Sequence, residues 1–149
     1  MNYRHAFHAG NFADVVKHVA LALCLDRLNA KEAPYRYIDT HAGAGLYDLT
    51  SDEALRSPEW RDGVARVWEA ERGAPEAVRA ALAPWLNVIR GMNPARLREY
   101  PGSPLLAAEI MRRQDVLRLC ELHPESAAAL RLAIARDKRL SRAQLQAAG

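Results

Sequence analysis

Three groups of residues in this chain are typed and spaced so as to do chemistry. Glu121 closes the run Val116-Leu117-Arg118-Leu119-Cys120-Glu121, and a carboxylate at a strand end can accept two hydrogen bonds from the hydroxyls of a ribose. Ala42-Gly43-Ala44-Gly45 supplies glycines that let a backbone approach a ligand closely. Ser103-Pro104 is a helix start, with an oxygen able to accept an orphan amide hydrogen and a proline suited to the first helical position; the N-terminus of such a helix favours a negative group. Near the chain start, Tyr3, Arg4, His5, Phe7 and His8 crowd into a stretch with no helical or strand period, which reads as an ordered arm.

The elements that must position these residues follow from the punctuation. Asn11 can cap a helix running to about Leu28, apolar nearly all round from Val19 to Leu25, as in a helix wedged against a sheet. Tyr35 to Asp39 is a short strand after Pro34, and Thr40 to Gly45 is a tight loop. Between Ser51 and Gly91 two amphipathic helices are expected, one striped with Trp60, Val64, Val67 and Trp68, the other with Val78, Leu82, Trp85, Leu86 and Ile89. A helix from Ser103 to about Arg113, a strand from Val116 to Glu121 and a helix from about Pro124 to Arg136 complete the series.

Strand, glycine turn, helix start and second strand ending in an acid is the arrangement by which Rossmann-like proteins hold a nucleoside cofactor. The full dinucleotide fingerprint is missing, and 76 residues separate Gly45 from Glu121, where about twenty are usual. A helical insertion between Gly45 and Pro101 accounts for that distance. The expected organisation is therefore an arm, first helix, first strand and cofactor loop over 1–46, a helical insertion over 47–99, and a continuation of the α/β domain over 100–149.

Plainer readings stand beside each of these. The glycines can form an ordinary turn, Glu121 can be a surface acid, Tyr3 and His5 can fold against the core, and Lys17 and His18 can lie on a solvated helix face. Arg136, Lys138, Arg139 and Arg142 form the densest basic stretch, able to touch phosphates or simply to solvate a helix end. His5-x-x-His8 and Cys120-x-x-His123 supply four potential zinc ligands, so a zinc-binding module is an alternative from another class.

Composition permits all of this. With 149 residues, half of them apolar, the chain can bury a core. The formal charge of +3 is spread along its length and permits nucleic acid as a partner. Cys24 and Cys120 make no disulfide framework, no secretory signal opens the chain, and the longest apolar run has seven residues; a cytoplasmic setting without a membrane span is the expectation.

Taken together, Tyr3-Arg4-His5, Phe7-His8-Ala9-Gly10-Asn11, Ala13-Asp14-Val15, Lys17-His18, Asp39-Thr40-His41-Ala42-Gly43-Ala44-Gly45, Tyr100-Pro101-Gly102-Ser103-Pro104-Leu105 and Glu121-Leu122-His123-Pro124 resemble, in order and approximate spacing, the N-terminal half of the RlmJ-type ribosomal RNA adenine methyltransferases. The resemblance runs to about Arg139. It implies a Rossmann-like S-adenosylmethionine-dependent methyltransferase fold with a small helical insertion, and a methyl group delivered to the exocyclic amine of an adenine in 23S ribosomal RNA. It further implies that His18, His41, Gly43, Ser103 and Glu121 bind the cofactor. By the same resemblance Tyr3, His5 and Lys17 face the substrate, where an aromatic can stack on an extruded base.

The chain departs from that family in two places. The family's Asp-Pro-Pro-Tyr motif, whose acceptors draw out the amine lone pair, is absent, and Asn93-Pro94-Ala95-Arg96 is no substitute. Where the family carries an Asp-Gly pair after the third strand, this chain has Ala148-Gly149. The expectation is a fold incomplete at its C-terminus, with no catalytic residue of its own, weakened cofactor affinity, no turnover alone, and an unpaired strand edge at Tyr35 to Asp39 prone to self-association. A non-catalytic RNA- or cofactor-binding remnant is the companion reading.

Overall fold

A computed structural model describes residues 5–136 and 144–147. The elements, in chain order, are a 3-10 turn at His5–Phe7, then α1 (Phe12–Asn29), β1 (Arg36–Asp39), β2 (Leu46–Asp48), α2 (Asp52–Arg56), a 3-10 turn at Glu59–Arg61, α3 (Val64–Ala70), a 3-10 turn at Glu71–Gly73, α4 (Glu76–Met92), β3 (Glu99–Pro101), α5 (Ser103–Ile110), β4 (Val116–Glu121), α6 (Pro124–Arg136) and β5 (Gln144–Ala147). Two compact units contain them, one built from 1–23 and 47–100, the other from 24–46 and 101–149.

The second unit is a mixed α/β structure on a three-stranded sheet of order β1-β4-β5. Both pairings are parallel, with Asp39 opposite Leu119 and Glu121 opposite Ala147. Parallel neighbours need crossover connections, and α5 and α6 lie in the chain before β4 and β5. Alternation along β4 buries Leu117 and Leu119, which share the core with Leu105, Leu106, Ala107 and Leu130.

Helix α5 stops at Ile110, short of the expected Arg113, because Arg112 has other partners. Its guanidinium grips Asp115 at 3.0 Å and donates to the carbonyls of Lys31 and Ala33. Asp115 also accepts the Tyr35 amide at 3.0 Å, clamping the start of β1.

In the first unit, Asn11 caps α1 as expected, accepting the Asp14 amide at 2.9 Å. The apolar run Val19 to Leu25 is covered on one face only, since Ala22 and Leu25 are buried whereas Leu23 and Cys24 are exposed. The stretch 47–99 holds three helices rather than the two expected. Trp60 sits in a 3-10 turn outside α3, between Pro58 and Gly63, and Val78 is exposed, leaving Trp85, Leu86 and Ile89 as the buried stripe of α4. Gly63 has no room for a side chain, as a Cβ there would lie 2.1 Å from the Gly10 carbonyl oxygen.

A two-stranded sheet of β2 and β3, unforeseen from the sequence, closes this unit. Buried Asn93 organises its approach. The side-chain amide donates to the carbonyls of Ile89 and Glu99, while its oxygen accepts the amides of Arg98 and Glu99, all at 2.8 Å.

Candidate functional site

Two acids stand at the C-terminal ends of adjacent parallel strands in the second unit. Asp39 ends β1 and Glu121 ends β4, and the loop between Asp39 and β2 is folded onto both. The Ala42 amide donates to the Cys120 carbonyl at 3.0 Å. Gly43, at φ 66°, a value costly for residues with a Cβ, then donates its amide to Glu121 Oε2 at 2.7 Å. The other Glu121 oxygen accepts the His123 amide at 2.7 Å. Each carboxylate oxygen has two lone pairs, so Glu121 retains acceptor capacity beyond these amides.

Asp39 gathers the remaining groups. Its Oδ2 accepts the Ser103 hydroxyl at 2.5 Å and the Tyr37 hydroxyl at 3.1 Å, and its Oδ1 accepts the His41 amide at 3.1 Å. Burial, reinforced by the Asp39 charge, pushes the Tyr37 phenol well above its usual range, so it stays a donor. The His41 ring is exposed and bonds Thr40 through Nδ1 at 2.9 Å. Ser103 is the first residue of α5 and does not cap it; Gly102 precedes the helix, and the serine hydroxyl is committed to Asp39. The structure thus brings Gly43, Ser103, His41 and Glu121 into one unit through two carboxylates.

The remaining candidates lie in the first unit. His18 is buried and hydrogen-bonded through Nδ1 to the Tyr100 hydroxyl at 2.9 Å, the two rings stacked at 5.5 Å. Burial first, then the charge of Asp14, holds the Tyr100 phenol well above its usual range. His5 Nε2 lies 2.7 Å from Asp14 Oδ2, and Lys17 Nζ lies 2.9 Å from Asp14 Oδ1. The Asp14 pKa settles at about 2: burial pushes it up, and the hydrogen bond and charge of His5, with Lys17 and His18, more than offset that. Tyr3 falls outside the described residues, as do Lys138, Arg139 and Arg142.

A second carboxylate holds the arm nearby. Glu59 bonds His8 Nδ1 at 2.9 and 3.0 Å and accepts from the Asn11 side chain at 2.9 Å. The zinc reading therefore finds His5 and His8 each engaged by an acid, and no group of three or more potential ligands is arranged for a metal among the described residues. No helix among them is long and apolar enough to cross a membrane.

Sequence reasoning gave no role to Asp14, Asp39 or Glu59. For Asp14 a signal existed, since Lys17 follows three residues later on the same helix face. Asp39 and Glu59 find partners 64 and 51 residues away, which no local pattern announces.

A family model described as ribosomal RNA large subunit methyltransferase D, RlmJ, matches residues 32–148. A protein of Escherichia coli named ribosomal RNA large subunit methyltransferase J is 44% identical over 140 residues, covering 93% of this chain and 48% of the relative. Its namesake in Haemophilus influenzae is 41% identical over 143 residues, covering 95% of this chain and 49% of the relative. The chain thus spans about half the length of the curated relatives it matches. The crystal structure of a Legionella pneumophila protein matches with a TM-score of 0.78 at 35% identity, covering 94% of this chain and 48% of that one.

Proposed function

Given that the chain belongs to the RlmJ family of ribosomal RNA large subunit methyltransferases, we propose that it forms the cofactor-binding half of a Rossmann-like enzyme methylating the exocyclic amine of an adenine in 23S ribosomal RNA. The single observation that carries this reading is the pairing of Glu121 with the Gly43 amide across the ends of two parallel strands. In open α/β sheets, ligands bind beyond the carboxyl ends of the strands. A strand-end acid with acceptor capacity left suits ribose hydroxyls, and a glycine loop held against it suits close approach of a nucleoside.

On this reading S-adenosylmethionine supplies the methyl group from its sulfonium. His41, Gly43, Ser103 and Glu121 hold it, with Asp39 fixing the serine and the loop. Tyr3, His5 and Lys17 face the base. The helical stretch 47–99 is an insertion in the α/β domain. Methyl transfer to an aromatic amine needs acceptors for its hydrogens, and without an Asp-Pro-Pro-Tyr motif this chain has no catalytic residue and does not turn over alone.

Calorimetry with S-adenosylmethionine, and transfer of labelled methyl groups to unmodified 23S RNA, test this on the chain and on the complete product of the gene that encodes it, whatever its length. The complete product is expected to bind the cofactor and label RNA, and Glu121→Ala to abolish binding. Failure of the complete product to bind the cofactor would overturn the assignment, and robust turnover by the 149-residue chain would overturn its inactivity.

A further inference from the structure

Asp14 is a carboxylate without an assigned role, and its setting is unusual. It is 1% exposed, yet its partners come from three stretches of chain: the His5 ring, the Gly10 amide at 3.1 Å, and Lys17 one turn along α1. Both side-chain partners reach toward solvent, His5 with 24% and Lys17 with 63% of the side chain exposed. Desolvation of a buried carboxylate offsets much of the attraction to its partners, so stability alone does not account for the arrangement. What such a group does well is fix its partners in place.

We infer that Asp14 is a positioning residue, holding the His5 ring and the Lys17 ammonium in one arrangement for the substrate; this rests on the reading that those two face the RNA base. An ionised carboxylate only accepts, so the short contact requires a proton on His5 Nε2. In the neutral ring Nδ1 is then the unprotonated nitrogen, so Asp14 selects the tautomer. The Tyr47 ring, its centroid 5.2 Å from that of the imidazole with the planes at 65°, limits rotation of the same ring. At the opposite oxygen the ion pair restrains a flexible four-carbon stem that would otherwise scatter the ammonium.

Asp14 is itself braced. Gly10 adopts φ +75°, where a Cβ would meet Val64 Cγ1 at 2.9 Å, and the turn so formed delivers its amide to Asp14 Oδ2. Asn11 accepts the Asp14 amide from below. The carboxylate cannot follow its partners; they must come to it.

The test uses Asp14→Asn in the complete gene product, alone and combined with His5→Ala plus Lys17→Ala. Asp14→Asn is expected to lower kcat for RNA methylation by about tenfold or more while the Kd for S-adenosylmethionine stays unchanged, and to add no further loss in the His5→Ala, Lys17→Ala background. Independently of activity, two-bond proton–nitrogen spectra of the wild-type chain should show the His5 proton on Nε2, and Asp14→Ala, which removes the acceptor that asparagine would keep, should weaken that preference. Additive loss in the combined variant, or a wild-type His5 protonated on Nδ1 alone, would overturn the inference. Should Asp14→Asn fail to fold, Asp14→Glu, which keeps an acceptor but moves it by one methylene, should lower kcat in its place, and a wild-type ring protonated on Nδ1 alone still overturns the inference. If the wild-type product labels no RNA, the functional reading falls, and the same spectrum still decides the role of Asp14.

Discussion

The Ser103 hydroxyl donates to Asp39 Oδ2 across 2.5 Å, joining residues 64 apart in the chain. Ser103→Ala removes that donor and leaves Asp39 with the Tyr37 hydroxyl and the His41 amide. For a half-buried carboxylate that keeps two donors, the expected cost is about 1 kcal/mol. Ser103→Thr retains the hydroxyl and should cost less. Thermal unfolding of the two variants beside wild type measures the difference, and equal losses would show that the hydroxyl contributes nothing.

Local signals made much of the fold legible. Asn11 marked the start of α1, Pro34 and the β-prone run marked β1 with its terminal Asp39, and β4 and α6 begin where their residue types indicate. What stayed hidden depends on distant partners. The end of α5 at Ile110 is set by the pull of Asp115 and two carbonyls on Arg112, whereas the helical pattern alone continues through Arg113. The three-residue strands β2 and β3 are too short for a period-two pattern to register. At the candidate site the residue types were readable, but the carboxylate that anchors Ser103 and the loop was readable only as a strand end.

Asp14 should give the chain a distinct acid response. Its pKa in the folded protein, about 2, lies below the ordinary 3.8, so the folded state binds that proton less readily than the unfolded state. The resulting stability is fully present above about pH 4 and is lost as pH falls toward 2, amounting to about 2 kcal/mol. Asp14→Asn should therefore lower stability at neutral pH and flatten its dependence between pH 4 and 2, read by denaturant titration at each pH. An unchanged slope in that window would remove Asp14 from the account.

Two glycine substitutions should act in opposite directions. At Gly63 a Cβ would sit 2.1 Å from the Gly10 carbonyl oxygen and 2.6 Å from the Asn11 carbonyl carbon, so Gly63→Ala must displace backbone and should cost about 3 kcal/mol or more. Gly91 lies inside α4 with nothing within 4 Å of the same atom. Gly91→Ala should stabilise by about 0.5–1 kcal/mol through helix propensity and a less flexible unfolded chain. Melting temperatures of the pair check both signs at once.

Among the described residues β1 is hydrogen-bonded to β4 alone, so its other edge presents unpaired amides and carbonyls. Ile38 on that strand is 55% exposed, flanked by the charges of Arg36 and Asp39 but with no lysine or proline on the strand itself to discourage pairing. The 149-residue chain should therefore self-associate as its concentration rises, with the weight-average mass in sedimentation velocity climbing accordingly. Ile38→Lys places a charge on the edge and should return the chain to monomer without lowering its melting temperature, because an exposed side chain contributes little to the core. A mass independent of concentration in the parent chain would mean the edge is protected; a mass that rises equally in both would place the association elsewhere on the surface.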